Sequence, residues 1–175
     1  MTSEVSRGAR PDLPVADGPP FDFLPHNCFA CGTLNEHGLG LTIHVERARS
    51  WTELELDGRF EGWEGIAHGG ILCTILDEVM AWALVGEDNW GVTARMSVEF
   101  RKPASVGTLL RAEGWVTRSR RRLVETEARI VEAATGVELA TATGTYVAAD
   151  DERKRELQAR YGFRNRLVER SGDGT

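Results

Sequence analysis

The stretch from His68 to Val85, HGGILCTILDEVMAWALV, decides the fold. At about 100° per residue, Ile71, Leu72, Ile75, Leu76, Val79 and Met80 fill an arc of about 180°, with Trp82 and Ala83 inside it. The spacing therefore predicts a helix over about 68–85 that is buried on most of its circumference. The remaining arc carries Thr74, Asp77 and Glu78. Gly70 stands seven positions before Asp77, so Gly70, Thr74 and Asp77 fall along one stripe of the helix. A glycine-rich approach, Gly62-Trp63-Glu64-Gly65-Ile66-Ala67, leads into it.

Outward from the helix the pattern changes period. Val92 to Lys102, Leu109 to Arg118, Leu123 to Glu132 and Glu138 to Ala148 are rich in valine, threonine and alternating apolar positions. They are separated by Pro103 to Gly107, by an arginine cluster and by Thr135-Gly136, and they read as a four-stranded antiparallel meander. Before the helix, Leu41, Ile43 and Val45 alternate, and Leu54, Leu56 and Phe60 nearly do, which suggests two paired strands. Two strands, an apolar helix and four strands make an α+β order in which a curved sheet must cover the helix.

Met1 to about Pro25, with Arg10-Pro11, Pro14 and Gly18-Pro19-Pro20, reads as a flexible arm able to pin itself through Phe21, Phe23 and Leu24. One ordered domain is expected over 26–149. Asp150 caps a surface helix from Glu152 to about Tyr161, and fraying is expected beyond Arg164. The 175 residues suit a single domain, and 41% hydrophobic and 27% charged residues are ordinary for a globular chain. A net charge of -6 argues against nucleic-acid binding, which needs a basic surface. No apolar run without charges approaches a membrane span, and the N-terminus lacks an apolar signal segment. Three cysteines without such a segment predict reduced thiols and a cytoplasmic location.

The helix opening is the strongest chemical feature. Gly69 and Gly70 expose backbone N–H groups at the positive end of the helix dipole, where a carbonyl oxygen can be polarised. Two turns on, Asp77 interrupts an apolar stretch, where a carboxylate costs several kcal/mol unless paired, hydrated or functional. Together they supply what acyl transfer to water requires. Close helix-sheet packing at the glycines, with Asp77 turned to solvent or an arginine, explains the same residues equally well. Elsewhere, Cys28-x-x-Cys31 with His26 and His37 nearby reads as a buried turn rather than a metal centre, since no second ligand pair follows. Cys73 reads as inert packing, and Trp63 and Trp82 as core or pocket lining. Arg118 with Arg120, Arg121 and Arg122 at a strand turn, and Arg101 with Lys102 before Pro103, offer cations for a phosphorylated ligand or simply a solvated surface.

His68-Gly69-Gly70 followed by an acidic residue nine positions after the histidine resembles the signature of PaaI-type hotdog-fold acyl-CoA thioesterases. The resemblance extends to Phe60-Glu61-Gly62-Trp63-Glu64-Gly65, to Val92-Thr93 through Phe100 and Pro103, to Glu125–Glu132 and to Thr141–Tyr146. Asn27-Cys28-Phe29-Ala30-Cys31-Gly32 with Asn35 and Gly38-Leu39-Gly40-Leu41 is similar to one branch. It implies a hotdog fold, and a Gly69 N–H that polarises the thioester carbonyl. Asp77 would activate water or attack, Thr93 would position it, and His68 would be a structural or binding residue at the helix start. It further implies a homodimer, often paired into a tetramer, with each site shared between two subunits. No cofactor beyond the coenzyme A of the substrate is expected. The chain departs from some members in having Gly62 where they place an asparagine six residues before the histidine. Of the two adjacent carboxylates, Asp77 is expected to face substrate and Glu78 to be a solvated or interface charge. Two other functions compete: a binding module that holds acyl-CoA or an aromatic ligand without turnover, and a hydratase or dehydratase using His68. The acyl group is not legible.

Overall fold

Helix α1 spans Gly69–Gly86 in a computed structural model that describes residues 21–165, and everything else is arranged to cover it. In chain order the elements are β1 (Phe21–Asp22), β2 (His44–Glu46), β3 (Arg49–Glu55), β4 (Glu61–Trp63), β5 (Ile66–Ala67), α1, β6 (Gly91–Phe100), β7 (Leu109–Arg120), β8 (Leu123–Glu132), β9 (Glu138–Ala148), α2 (Asp151–Arg160) and β10 (Arg164–Asn165). Six strands form one antiparallel sheet in the order β2-β3-β7-β8-β9-β6. Its inner face supplies Leu110, Ala112, Val124, Ala128, Ile130, Ala140 and Tyr146, which meet Leu72, Ile75, Leu76, Val79 and Met80 of α1 in one core. The alternation of β8, exposed then buried over eight residues, is the period-two pattern read from the sequence. The fold is α+β, and a sheet wrapped on one long helix is the hotdog architecture.

The order of the strands differs from a simple meander. Strands β7, β8 and β9 are consecutive neighbours, but β6 crosses to the far edge and pairs with β9. Alternation within a strand reports which face is buried and is silent about which neighbour it pairs with, so the crossover was not readable. Strand β6 is ten residues long, and its second edge pairs with no strand among the described residues.

The helix sits unusually close to two strands at one point. Ser50 of β3 and Gly114 of β7 are register partners, and the Ser50 hydroxyl donates to the carbonyl of Val79 in mid-helix. A Cβ added to Gly114 would stand 2.5 Å from the Val79 oxygen. Gly114→Ala is therefore expected to lower stability by about 3 kcal/mol, the upper end for overpacking, because the obstructing atoms are backbone and cannot rotate away. Gly58→Ala, whose Cβ meets nothing nearer than Glu61 Oε1 at 3.9 Å, should stay within about 0.5 kcal/mol. Urea unfolding midpoints of the two variants check this, and equal midpoints would mean that the helix is not seated on Gly114.

With 18 residues and mean hydropathy 1.5, α1 has the length and composition of a membrane span. Here the sheet covers that apolar surface, and Asp77 and Glu78 stand in its middle. At the chain ends, β1 pairs with β10, and Phe21, 5% exposed, packs on Phe163 with ring centroids 5.0 Å apart. Asp150 accepts from the Arg153 N–H at 2.9 Å and caps α2 as expected. Residues 1–20 and 166–175, most of the expected arm and tail, lie outside the described residues.

Candidate active site at the helix and its edge strand

The third turn of α1 carries Asp77 toward β6 and β9. Thr93 Oγ1 of β6 donates to Asp77 Oδ1 at 2.7 Å. Tyr146 of β9 is fully buried and bridges sheet and helix: its hydroxyl is shared between Asp77 Oδ1 at 2.7 Å and the Asp77 carbonyl at 3.0 Å. Two hydroxyl donors on one oxygen fix the orientation of the carboxylate. Burial, and then the Asp77 charge, hold the Tyr146 phenol well above its ordinary range, so it remains a donor. Asp77 Oδ2 takes part in no hydrogen bond among the described residues. A register shift between Thr93 and Arg95 interrupts β6–β9 pairing beside the site, a device that re-aims side chains.

His68 caps the helix. Its backbone is extended at φ -65 and ψ 132, and its Nδ1 accepts the Gly70 N–H at 2.9 Å. The Ile71 and Leu72 N–H groups are taken by the His68 carbonyl at 2.9 and 3.3 Å. Gly69 thus keeps the first-turn N–H that no described residue accepts, whereas the Gly70 N–H expected to share in binding is consumed by the cap. A Cβ on Gly69 would stand 3.3 Å from Phe100 Cζ, so Phe100, 55% exposed, packs beside the helix start. A Cβ on Gly62 would come 3.1 Å from His68 Cα, so glycine there lets the capping histidine back onto β4.

Other sequence candidates are placed less simply. The Thr74 hydroxyl donates to the Gly70 carbonyl one turn back, at 3.0 Å, and so serves its own helix. Trp63 is 81% exposed, not core. Arg101 pairs with Glu99 at 2.9 Å and Glu138 at 3.2 Å, and Lys102 is exposed beside it. Arg120 and Arg121 are exposed at the β7–β8 turn, and Arg122 donates to the Ala148 carbonyl at 2.9 Å. Since Gly91 pairs with Ala148 and Phe100 with Ala140, the two basic clusters lie at opposite ends of the sheet. Ten residues at about 3.3 Å each separate them by about 30 Å, too far for one chain to bring both to one pyrophosphate.

Glu78 is neither solvated nor at a free surface. A rotation of about 100° from Asp77 turns it under the Cys28–Cys31 loop, where Trp82 Nε1 donates to its Oε1 at 2.8 Å and Cys28 Sγ lies 3.9 Å from its Oε2. Burial pushes its carboxyl up to about 7, reinforced by the Cys28 and Asp77 charges. The Cys31 thiol, then the backbone N–H groups of Cys31 and Ala30, draw Cys28 down to about 5 against burial. Cys31 is pushed up by donating to Cys28 and by burial. Burial also raises Cys73, as suits a packing thiol.

Two members of these constellations were not read as such from the sequence. Tyr146 lies in a valine- and threonine-rich strand, and its only signal was that a buried phenol must find a partner. The third member of the cysteine cluster lies 50 positions from Cys28, beyond any local spacing rule.

Residues 64–138 match the sequence profile of the Thioesterase superfamily. No curated protein matches the chain by sequence. Among solved structures, a thioesterase superfamily protein aligns with TM-score 0.65 and 21% identity over 69% of this chain, which spans 60% of that protein's length. A hypothetical thioesterase from Streptococcus pneumoniae TIGR4 with coenzyme A aligns at TM-score 0.59 and 21% identity, over 62% of this chain and 88% of that one. Further structures of the Streptococcus pneumoniae protein carry alanine in place of one aspartate and, sixteen positions later, of one threonine. The E. coli PaaI protein from the phenylacetic acid degradation operon aligns at TM-score 0.60 and 18% identity, over 64% of this chain and 81% of that one. The matched residues run from the approach to α1 to the start of β9, and the chain shares the hotdog fold of these thioesterase superfamily structures.

Proposed function

We propose that the chain hydrolyses acyl-CoA thioesters as a homodimer, with Asp77 acting on the carbonyl carbon and Gly69 holding the carbonyl oxygen. The observation that carries this is a carboxylate fixed through one oxygen by Thr93 and Tyr146, whose other oxygen and whose helix's first N–H have no partner among the described residues. The aspartate-to-threonine interval of sixteen in the Streptococcus pneumoniae variants equals that from Asp77 to Thr93, which supports the same pairing here.

Helix geometry supports a site shared between two subunits. Eight residues at 1.5 Å separate Gly69 from Asp77 by about 12 Å along α1, so one chain cannot apply both to the same carbonyl. The long exposed edge of β6 is a template for pairing with a second copy. Antiparallel β6 pairing sets Thr93 opposite the Phe100 end of the partner strand, which brings a second copy's Gly69 toward Asp77. It also brings the Arg101–Lys102 end of one chain toward Arg120–Arg122 of the other, gathering the cations that a single chain keeps apart. Exposed Trp63, Val92 and Phe100 then gain cover.

In the reaction the carbonyl oxygen accepts from Gly69 N–H as charge develops on it. Asp77 Oδ2 takes a proton from water while the water oxygen bonds to the carbonyl carbon. The C–S bond then breaks, and the proton passes to the coenzyme A thiolate. In the variant route, an Asp77 carboxylate oxygen bonds to the carbonyl carbon and expels the coenzyme A thiolate, and water then adds to the Asp77 carboxyl carbon of the anhydride, releasing the acid and giving its proton to the thiolate. Single turnover in isotope-labelled water separates them, because only the second route leaves label in Asp77. The test of the function is free-thiol release from a panel of short, long and aromatic acyl-CoAs. Turnover is expected for at least one class. Ligand-dependent thermal stabilisation with no thiol released from any of them would instead identify a binding protein.

A further inference from the structure

The loop before β2 and the helix α1 bring together two thiols and a carboxylate that the hydrolytic site does not use. The sulfur atoms of Cys28 and Cys31 and a carboxylate oxygen of Glu78 all lie within 4.8 Å of one another. The loop is built to hold both sulfurs on one side. The Gly32 N–H donates to the Cys28 carbonyl at 2.9 Å and the Leu34 N–H to the His26 carbonyl at 3.1 Å. A Cβ on Gly32 would collide with Cys28 N at 2.4 Å and His26 O at 2.5 Å, so only glycine closes this turn. Trp82 Nε1–H holds Glu78 Oε1 and leaves Oε2 facing Cys28 Sγ.

We propose that Cys28, Cys31 and Glu78 bind a divalent cation of the zinc class, clamping the N-terminal loop to the helix. With Zn–S near 2.3 Å and Zn–O near 2.0 Å, tetrahedral coordination sets sulfur and oxygen about 3.5 Å apart, and the 3.9 Å between Cys28 Sγ and Glu78 Oε2 is within a small adjustment of that. None of the ion pairs among the described residues involves Glu78. The neighbouring base, His26, spends its Nδ1 accepting the Cys28 N–H at 3.3 Å. A cation neutralises three acidic groups that no described side chain neutralises, and its binding sends the thiol protons to solvent. The Trp82 hydrogen bond is the outer support that metal-bound carboxylates typically have. The fourth position faces a cavity of about 480 Å³ lined by Phe23, His26, Trp82 and Trp90, and the buried Trp90 Nε1–H has no acceptor among the described residues. Water on the ion completes the coordination from that cavity. The proposal departs from the buried turn read from the cysteine spacing alone, and it does not depend on the hydrolytic reading.

The test is metal content and Co2+ uptake of the full chain, purified under reducing conditions. Wild type and Cys73→Ser are expected to retain one equivalent of Zn2+ through dialysis. After removal of the Zn2+, both should show the intense near-ultraviolet thiolate-to-Co2+ band and tetrahedral visible bands. Cys28→Ser should lose retention, and Trp82→Phe should weaken it roughly 10- to 100-fold. Glu78→Gln keeps both thiolates and should weaken it by more than Trp82→Phe does. Chelation should lower the melting temperature of wild type and leave that of Cys28→Ser unchanged. Folded, reduced wild type that takes up neither ion would overturn the site. So would equal uptake by Cys28→Ser, Glu78→Gln and Cys73→Ser.

Discussion

Asp77→Ala is expected to lower kcat for thioester hydrolysis by roughly 10²- to 10⁴-fold while leaving the chain folded, since positioned acid–base groups contribute on that scale. The fold should survive because Tyr146, the buried hydroxyl that loses its carboxylate, keeps the Asp77 carbonyl as an acceptor at 3.0 Å. Thr93 is exposed and can turn to water. Asp77→Asn should lose nearly as much: the amide keeps an oxygen for both hydroxyls but can neither take a proton nor attack. Free-thiol release, with circular dichroism and gel filtration as controls, measures this. Equal turnover in wild type and Asp77→Ala would remove the residue from the mechanism.

Gly69→Pro should cost about 10²- to 10³-fold in kcat, the usual loss on deleting one donor to a developing oxyanion. Proline is suited to this experiment because Gly69 is the first helical residue, where the missing N–H bonds nothing in the helix. His68 before it is already extended, as a residue preceding proline must be. The two variants together test the shared site. If Asp77 of one subunit works with Gly69 of the other, a refolded equal mixture of Asp77→Ala and Gly69→Pro chains should regain about a quarter of wild-type turnover. Half of the dimers are then mixed, and each mixed dimer has one intact site. No gain on mixing would mean that each chain holds its own complete site, which the 12 Å separation along the helix argues against.

The difference between Asp77 and Glu78 shows how neighbouring residues of one type diverge. Both interrupt the same apolar helix, and a turn of about 100° sends one to two hydroxyls and an open oxygen, the other under a loop of two cysteines. The first partner set fixes one carboxylate oxygen and leaves the other without a partner among the described residues. The second buries its carboxyl and raises it to about 7, and offers ligands to a cation. Whichever way the metal experiment falls, Glu78 is not the solvent-facing charge that its polarity suggests.

By itself the sequence determined the elements: periods of about 3.6 and 2.0 follow from backbone geometry, so α1, β7, β8 and β9 and their buried faces were legible in Ile71–Val85 and in the alternating strands. The glycines at the first turn and the adjacent carboxylates Asp77 and Glu78 two turns on were legible for the same local reason, whereas the capping role of the His68 side chain was not. Tertiary structure alone decided what lies far apart in sequence. It set β6 against β9 at a free edge, gave Asp77 its Tyr146 hydroxyl 69 positions away, and brought Glu78 to Cys28 across 50. It also parted the two arginine clusters to opposite ends of the sheet. Periodicity records which way a side chain points, and only the closing of the sheet over the helix determines what it meets there.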